Sequence, residues 1–169
     1  MDAETERDFR EFVAARWSSL YRSALLLTGQ REAAEDLVQI ALARAAGRWK
    51  RLDQPEPYIR RIMYHQQVSR WRLRSWGREH STDVLPDRPD GRDSTDQTDT
   101  RLSLTEALRH LSPVQRAVLV LRYYEDLPDN EIAGTLGISA GAVRSHSHRA
   151  LARLRAVRPE LSLTRGDAS

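Results

Sequence analysis

The stretch LPDNEIAGTLGISAGAVRSHSHRALARLRAV, residues 127–157, has the pattern of a short helix, a tight turn and a longer basic helix. Ile132 and Leu136 give the first helix an apolar face through their i, i+4 spacing. Gly137 can adopt a positive φ in the turn, and Ser139 can cap the backbone N–H groups that open the next helix. The stretch therefore predicts two helices that cross at a glycine turn.

The second helix of this pair has one apolar side and one polar, basic side. Its outward side chains combine cations with hydroxyl groups: Arg144, Ser145, His146, His148, Arg149 and Arg153. Together with the small Ala133 near the crossing, this pattern is typical of a helix-turn-helix whose second helix enters a DNA major groove. The alternative is an ordinary helical hairpin with a solvated basic face.

Composition limits the remaining possibilities. A chain of 169 residues can form one ordinary domain or two small ones. It has no cysteine, which excludes a disulfide framework, a zinc ribbon and thiolate catalysis. No apolar run approaches the roughly 20 residues of a membrane span, and the polar, acidic N-terminus is unlike a signal peptide. We therefore expect a cytoplasmic protein without membrane insertion.

Charge is distributed unevenly along the chain. Residues 79–100 carry seven acidic side chains and two arginines, a net charge of −5. Because the whole chain has a net charge of +3, the residues outside this segment carry a net charge of +8. Two basic blocks flanking an acidic connector indicate a polyanionic partner for the blocks. Pro, Gly, Asp, Ser and Thr dominate the connector, which predicts a linker that is disordered when free.

The first block begins with two predicted helices. Residues from about Thr5 to Thr28 have amphipathic spacing with Gly29 as a stop, and the segment Arg31–Ala46 is closed by Gly47. The apolar surface of the second helix is wider than one core stripe requires, and its partly outward residues are Asp36, Gln39, Ile40, Ala43 and Arg44. Such a mixture is typical of a docking surface for a protein, although a solvated face with one stray Ile explains it equally well.

A third helix is predicted after the break LDQPEP at residues 52–57, over about Tyr58 to Trp76. Between Tyr58 and Arg78 the chain has arginines but no acidic residue: Arg60, Arg61, Arg70, Arg72, Arg74 and Arg78. Aromatic rings and a histidine are interleaved with them: Tyr58, Tyr64, His65, Trp71 and Trp76. Guanidinium groups for phosphates and rings for unstacked bases favour single-stranded nucleic acid over a purely structural role.

The second block begins near Arg101 with a short helix marked by Leu104, Leu108 and Leu111. Ser112, Pro113 and Gln115 then form the pattern of a capping box with proline at the first helical position. This predicts one more helix before the helix-turn-helix. The tail after Val157 is expected to fray.

Taken together, these segments resemble the sigma-70 family of RNA polymerase sigma factors, and within it the short extracytoplasmic-function (ECF) group. AEDLVQIALARAA, residues 34–46, is similar to the family's core-polymerase-binding helix. PYIRRIMYHQQVSRWRLRSW, residues 57–76, resembles its strand-melting and −10-recognition segment. Residues 108–155 resemble the −35-binding domain, and this likeness is the most specific of the three.

The resemblance implies an all-α fold of two small helical domains joined by a flexible acidic linker. Sigma region 2 would occupy residues 5–77, the linker 78–100, sigma region 4 101–157, and a flexible tail 158–169. The implied partners are core RNA polymerase and promoter DNA, with a double-stranded −35 element and a melted −10 element. An anti-sigma factor is a further candidate partner, and no cofactor, metal or catalytic residue is implied.

The resemblance also assigns candidate contacts. By family position Asp36, Leu37, Gln39 and Ala43 would contact the polymerase clamp helices, and the outward Ile40 joins them. The candidate −10 contacts are Arg60, Arg61, His65, Arg70, Trp71, Arg72 and Arg74. The candidate −35 contacts are Arg144, Ser145, His146, His148 and Arg149.

Two positions depart from the family pattern. His65 stands where the family usually has Asn, which changes the group offered to the unpaired −10 strand. Pro128 stands where the family usually has a capping Ser at the start of the helix-turn-helix. Either Asp126 or Asp129 could take over that cap, and the sequence does not choose between them.

Two other classes of function compete with a sigma factor. A freestanding helix-turn-helix regulator with a small-molecule sensing domain would leave the arginine- and aromatic-rich helix unexplained. An enzyme or metalloprotein is disfavoured because His146 and His148 stand two residues apart and point to different sides of a helix. The sequence offers neither an i, i+4 histidine pair nor a cysteine ligand.

Overall fold

The computed structural model describes residues 1–76 and 99–159, except the side chains of residues 71–76 and 99–103. Every regular element in these ranges is helical, as predicted. The α-helices are α1 (Ala3–Thr28), α2 (Arg31–Ala46), α3 (Pro55–Trp76), α4 (Asp99–Leu108), α5 (Pro113–Leu119), α6 (Asp129–Leu136) and α7 (Ala140–Val157). None of the helices in the described ranges combines the length and the apolar character needed to cross a bilayer.

The ends of α1 follow from local capping. Asp2 Oδ1 accepts a hydrogen bond from Thr5 N at 2.9 Å, so α1 begins two residues before the predicted Thr5. Gly29 ends α1 in the left-handed conformation with φ 71°, and its N–H donates to the Leu25 carbonyl. Helix α2 has the predicted bounds.

Helix α3 begins at Pro55, three residues before the predicted start at Tyr58. The N–H groups of the first helical turn have no partner within a helix, so Pro55 and Pro57 both fit there. The break before α3 is therefore shorter than the sequence pattern predicts. It contains a single 3₁₀ turn at Trp49–Arg51.

Trp49 packs this turn against α1. The indole is 7% exposed and lies edge-on to Phe9 and to Phe12, with ring centroids 5.0 Å apart in both pairs. Its Nε1–H donates to Asp8 Oδ2 at 2.8 Å, which satisfies the one polar group of the ring. The N-terminal domain is thus closed by an aromatic cluster that the sequence analysis did not identify.

The remaining core of the N-terminal domain lies between α1, α2 and α3, which pack against one another. Completely buried apolar side chains come from all three helices, including Leu20, Leu37, Val38, Ile59 and Met63. Burial of each large side chain contributes about 1.5–3 kcal/mol. This packing fixes which faces of α2 and α3 remain outside.

The C-terminal domain starts from the predicted capping box. Ser112 Oγ accepts from Gln115 N at 3.2 Å, and Gln115 Oε1 accepts from Ser112 N at 3.3 Å, which confirms the reciprocal cap of α5. Helix α5 then widens into a π-helical turn at Val120–Tyr124, where the N–H of Glu125 bonds the carbonyl of Val120. This turn directs Glu125 toward the N-terminal domain.

The two domains pack directly against each other. Helix α3 contacts α5 and α6, and α1 contacts α5 and the π-helical turn. Arg116 Nη1 donates to the Leu27 carbonyl at 2.7 Å, and Arg109 Nη2 donates to the carbonyl of Gly29, both at the C-terminal end of α1. The sequence analysis did not predict this contact. Residues 77–98, which include all but the last two residues of the predicted linker at 78–100, lie outside the described residues, and so do residues 160–169 of the predicted tail.

The Trp49 cluster yields a stability prediction. Trp49→Phe keeps an aromatic ring beside Phe9 but loses the hydrogen bond to the Asp8 carboxylate, so we expect a loss of about 1.5–3 kcal/mol of unfolding free energy. Trp49→Ala also empties the site and should cost about 3–5 kcal/mol. Urea unfolding followed by circular dichroism measures both losses. Equal losses in the two variants would contradict a separate contribution from ring packing.

Candidate polymerase and DNA interfaces

Helices α6 and α7 form the predicted helix-turn-helix. Gly137 occupies the turn with φ 68°, and the N–H of Ile138 donates to the carbonyl of Ala133 at 3.1 Å. Ser139 Oγ accepts from Ala142 N at 3.0 Å and so caps α7, as predicted. Ile132 and Leu136 are buried on the inner side of α6. Both the glycine turn and the serine cap are confirmed.

The start of α6 differs from both capping alternatives. Pro128 occupies the N-cap position, where it forms no side-chain capping hydrogen bond. Asp126 has φ 56° and ends the preceding turn, whereas Asp129 Oδ1 forms an ion pair with Arg122 Nη1 at 3.4 Å. The expectation that either aspartate caps α6 is therefore wrong. The carboxylate of Asp129 still lies favourably in the first helical turn.

Arg122 joins the two helices of the motif. Besides Asp129 at the start of α6, its Nη1 atom contacts Ser147 Oγ at 3.2 Å, in the middle of α7. Ser147 is 3% exposed, so this contact lies inside the motif. Arg122 therefore sets the position of α7 relative to α6. A lone arginine within the apolar run VLVLRYY was the available sequence signal, and it was missed.

The outer side of α7 presents most of the predicted −35 residues. Arg144, His148 and Arg149 are exposed, and Ser145 and His146 are half-buried. Arg149 Nη2 donates to Ser145 Oγ at 2.8 Å, which orients that guanidinium along the helix surface. The first turns of α7 thus offer cationic groups beside a hydroxyl, as recognition of base edges and phosphates requires.

His146 is the candidate DNA contact with a shifted pKa. Burial, and then the nearby positive charge of Arg149, lower the pKa of the imidazole below its ordinary value of 6.5. Its Nδ1 atom is buried and has no hydrogen-bond partner within the described part of the chain. The ring is therefore neutral at pH 7 in the free protein.

The outer face of α2 is exposed where a docking surface was predicted. Asp36, Gln39 and Ala43 are exposed and Ile40 is half-buried. Leu37, by contrast, is completely buried, so its side chain belongs to the core and supports this face from beneath. The direct partner contact expected for Leu37 does not fit this position.

Helix α3 distributes the predicted −10 residues over different environments. Arg61 and His65 are exposed, and Arg70 is half-buried. Trp71, Arg72 and Arg74 lie on the same helix, but their side chains are outside the described residues. Tyr64 is completely buried, so the expectation that its ring offers a face to a base is wrong for this conformation.

Arg60, another predicted −10 residue, is bound to the C-terminal domain. Glu125 lies opposite it, and the two side chains are 17% and 16% exposed. The Glu125 Oε1 atom accepts hydrogen bonds from Ser23 Oγ at 2.8 Å, Arg60 Nη1 at 2.8 Å and Tyr64 OH at 3.1 Å. Burial, and then the charge of Glu125, raise the pKa of the Tyr64 hydroxyl, which remains a protonated donor. We call Ser23, Arg60, Tyr64 and Glu125 the interdomain cluster.

Arginines also bind the C-terminal end of α1. Arg116 is 6% exposed and donates from all three guanidinium nitrogens to the carbonyls of Leu108, Leu27 and Leu111. Burial, and then the nearby charge of Arg109, lower the pKa of Arg116 to about 10, so it stays charged at neutral pH. Cations at a helix C-terminus interact favourably with the helix dipole.

Two family descriptions match the chain, one for each domain. Sigma-70 region 2 matches residues 12–77, and sigma-70 region 4 matches residues 107–156. These ranges contain the outer face of α2, all of α3 and the helix-turn-helix except its last residue, Val157.

Relatives match over most of their length. The RNA polymerase sigma-E factor of Streptomyces coelicolor is 42% identical over 151 residues, covering 88% of this chain and 84% of that protein. The sigma-E factor of Streptomyces avermitilis is 44% identical over 153 residues, covering 88% and 83%. The ECF RNA polymerase sigma factor SigL of Mycobacterium tuberculosis strain H37Rv is 33% identical over 156 residues, covering 86% of each chain.

Solved structures share the fold. The sigma factor RpoE of Bartonella quintana, in complex with the anti-sigma factor NepR, aligns with a TM-score of 0.63 at 23% identity, covering 92% of this chain and 99% of that one. CnrH, in complex with the cytosolic domain of CnrY, aligns with a TM-score of 0.59 at 22% identity, covering 93% and 91%. With both regions present and relatives above 40% identity, the chain belongs to the sigma-70 family of RNA polymerase sigma factors, in its ECF subfamily, and is a transcription initiation factor rather than an enzyme.

Proposed function

We propose that this sigma factor uses three separate surfaces to direct core RNA polymerase to its promoters. The outer face of α2 would bind the polymerase, the basic side of α3 the melted −10 element, and the first turns of α7 the double-stranded −35 element. The observation that carries the proposal is the outward placement of Arg144, His148 and Arg149 on a capped helix-turn-helix. This is the geometry with which such motifs read a major groove.

The polymerase surface is proposed from exposure and composition. Asp36, Gln39 and Ala43 lie outside the core, with the half-buried Ile40 between them. A small apolar centre with a polar and acidic rim is typical of protein interfaces. Leu37 would contribute by holding this face in place and not by touching the partner.

The −10 surface is proposed from the exposed cations of α3. Arg61 and His65 are available in the free protein, and Arg60 becomes available when it leaves Glu125. Trp71, Arg72 and Arg74 are assigned to this surface from the sequence alone. Because core polymerase and promoter DNA are cytoplasmic in bacteria, we expect the protein to act in the cytoplasm.

An anti-sigma factor is proposed as a regulator on the basis of the structural relatives. The sigma factor RpoE was solved with the anti-sigma factor NepR, and CnrH was solved with the cytosolic domain of CnrY. The alternative of a freestanding helix-turn-helix regulator is wrong, because the relatives that match over most of their length are RNA polymerase sigma factors. It would also leave the exposed face of α2 and the arginines of α3 without a function.

The α2 surface predicts which substitutions weaken polymerase binding. Gln39→Arg places a charge at the centre of the proposed interface, and Ile40→Asp removes its apolar side chain. Each should lose about 1–3 kcal/mol of binding free energy with unchanged helicity. Gln54→Arg, on an exposed loop position, is the matched control. Titration of labelled protein with core polymerase measures the affinities, and wild-type binding by both α2 variants would refute the assignment.

The α7 surface predicts different roles for its two exposed arginines. We expect Arg144 to read a base, so Arg144→Ala should lose about 1–3 kcal/mol and relax the preference at one −35 position. We expect Arg149 to hold a phosphate, so Arg149→Ala should weaken every sequence alike and lower the salt slope by about one unit. Holoenzyme binding to a panel of −35 variants at two salt concentrations separates the roles. A uniform loss with Arg144→Ala would contradict base reading.

His146 predicts a pH dependence of stability. Its folded-state pKa lies below that of the unfolded chain, so the unfolded chain takes up the proton first as the pH falls. The contribution of His146 to stability is therefore complete above about pH 6.5 and is lost below it. His146→Gln should flatten the decline in unfolding free energy below about pH 6.5, as measured by urea unfolding at several pH values.

A DNA phosphate near His146 would oppose the lowering of its pKa and favour the charged imidazole. The affinity for the −35 element should therefore rise modestly on acidification.

A slope unchanged by His146→Gln would show that another group causes any acid destabilisation. His148→Gln is the matched control because His148 is exposed on the same helix. It should leave the stability slope near that of the wild type.

A further inference from the structure

The guanidinium of Arg60 has no donor left for DNA in this conformation. Its Nε and Nη2 atoms donate to Glu56 Oε1 at 3.3 and 2.9 Å, and Nη2 also donates to Ser19 Oγ at 2.8 Å. Its Nη1 atom donates to Ser23 Oγ at 2.7 Å and to Glu125 Oε1 at 2.8 Å. An arginine has five N–H groups, and these contacts use all of them. Arg60 can bind a phosphate only after releasing one of these acceptors.

Glu125 is the acceptor that belongs to the other domain. Ser19, Ser23 and Glu56 lie on α1 and α3 with Arg60, whereas Glu125 follows the π-helical turn of the C-terminal domain. The carboxylate and a DNA phosphate are both anions suited to the same guanidinium. The contact between domains therefore occupies the group that the promoter would use.

The chemistry of this contact favours an interface that can open. Hydrogen bonds between the domains connect charged groups to each other or to polar ones, as in the interdomain cluster and the arginines at the end of α1. Removing charges from water offsets much of what their pairing gains, so such contacts stabilise less than apolar packing of the same size. Interfaces between domains that move relative to each other are typically polar in this way.

Promoter geometry requires the domains to separate. The −35 and −10 elements lie about 25 base pairs apart, which is roughly 85 Å along a duplex at about 3.4 Å per pair. A compact chain of 169 residues has a radius of gyration of about 15 Å. The two DNA-binding surfaces cannot reach both elements while α3 is packed against α5 and α6. Residues 77–98 can span up to about 75 Å when extended.

We propose that the free sigma factor is held closed by a latch in which Glu125 of the C-terminal domain occupies Arg60 of the −10 surface, and that promoter engagement exchanges this carboxylate for DNA phosphate. The latch leaves the outer faces of α2 and α7 exposed, so the polymerase and the −35 element can bind first. Arg60 is then released as the domains part. The role of Arg60 in DNA binding rests on the proposed function. The closed state of the free protein does not rest on it.

The first experiment measures closure in the full chain. The protein has no cysteine, so dyes can be placed at Glu11→Cys on α1 and Ala152→Cys on α7, both exposed positions. We expect efficient energy transfer in the wild-type protein and a clear shift to low efficiency with Glu125→Gln. Glu106→Gln removes the same charge from an ion pair with Arg158 within the C-terminal domain and should leave transfer unchanged. Equal transfer efficiency in wild type and Glu125→Gln would overturn the latch.

The second experiment measures access to Arg60. Binding of each full-length variant to a labelled, mixed-sequence single-stranded 20-mer is followed by fluorescence anisotropy. We expect Glu125→Gln to bind about fivefold more tightly than wild type and Glu106→Gln to remain within about twofold. Arg60→Gln combined with Glu125→Gln should open the domains but lose the gain in affinity.

The two experiments separate the latch from the proposed function. Glu125→Gln could lower the energy transfer without binding the 20-mer more tightly. This result would overturn the masking of Arg60 and its −10 assignment, but the change in energy transfer would still establish the closed state of the wild-type protein. A gain in affinity that persists without Arg60 would likewise overturn the role of this arginine. Circular dichroism of each variant confirms that helicity is retained.

Discussion

A carboxylate that leaves water needs donors in its place, and Glu125 obtains them from a domain that lies far away in sequence. The hydroxyls of Ser23 and Tyr64 and the guanidinium of Arg60 converge on one oxygen of this side chain. Loss of any one donor would leave a partly buried charge incompletely solvated. The placement of the C-terminal domain against α1 and α3 depends on this convergence, and so does the availability of Arg60, which we propose as a DNA contact.

The three proposed surfaces differ in how the fold supports them. The face of α2 is the outer side of a helix whose inner side is completely buried, so its residues are presented on a rigid support. The face of α7 is positioned by Arg122, which bonds both helices of the motif. The −10 surface on α3 is the one that shares a residue with the domain interface. The two surfaces that we propose to bind their partners first are thus the two with this support from the fold.

Sequence reasoning succeeded where the determinants are local. The capping box of Ser112 and Gln115, the turn at Gly137 and the cap at Ser139 involve residues close in sequence, and the structure has them as predicted. It failed where distant residues meet. Glu125 and Ser23 are 102 positions apart, and nothing in either segment indicates the other. The burial of Tyr64 likewise follows from how helices pack, which the sequence pattern of α3 alone does not determine. Leu37 is buried as the helical spacing of α2 allows, and only the partner contact implied by the family resemblance does not fit.

Because Arg60 and Glu125 belong to the same polypeptide, their encounter is unimolecular. The fraction of closed molecules therefore does not depend on how much of the protein a cell makes, unlike inhibition by a separate subunit, which excess sigma factor would titrate away. Overproduction would raise the number of open molecules only in proportion to the total number of molecules. A ligand that binds the open form better than the closed form is needed to change the ratio itself.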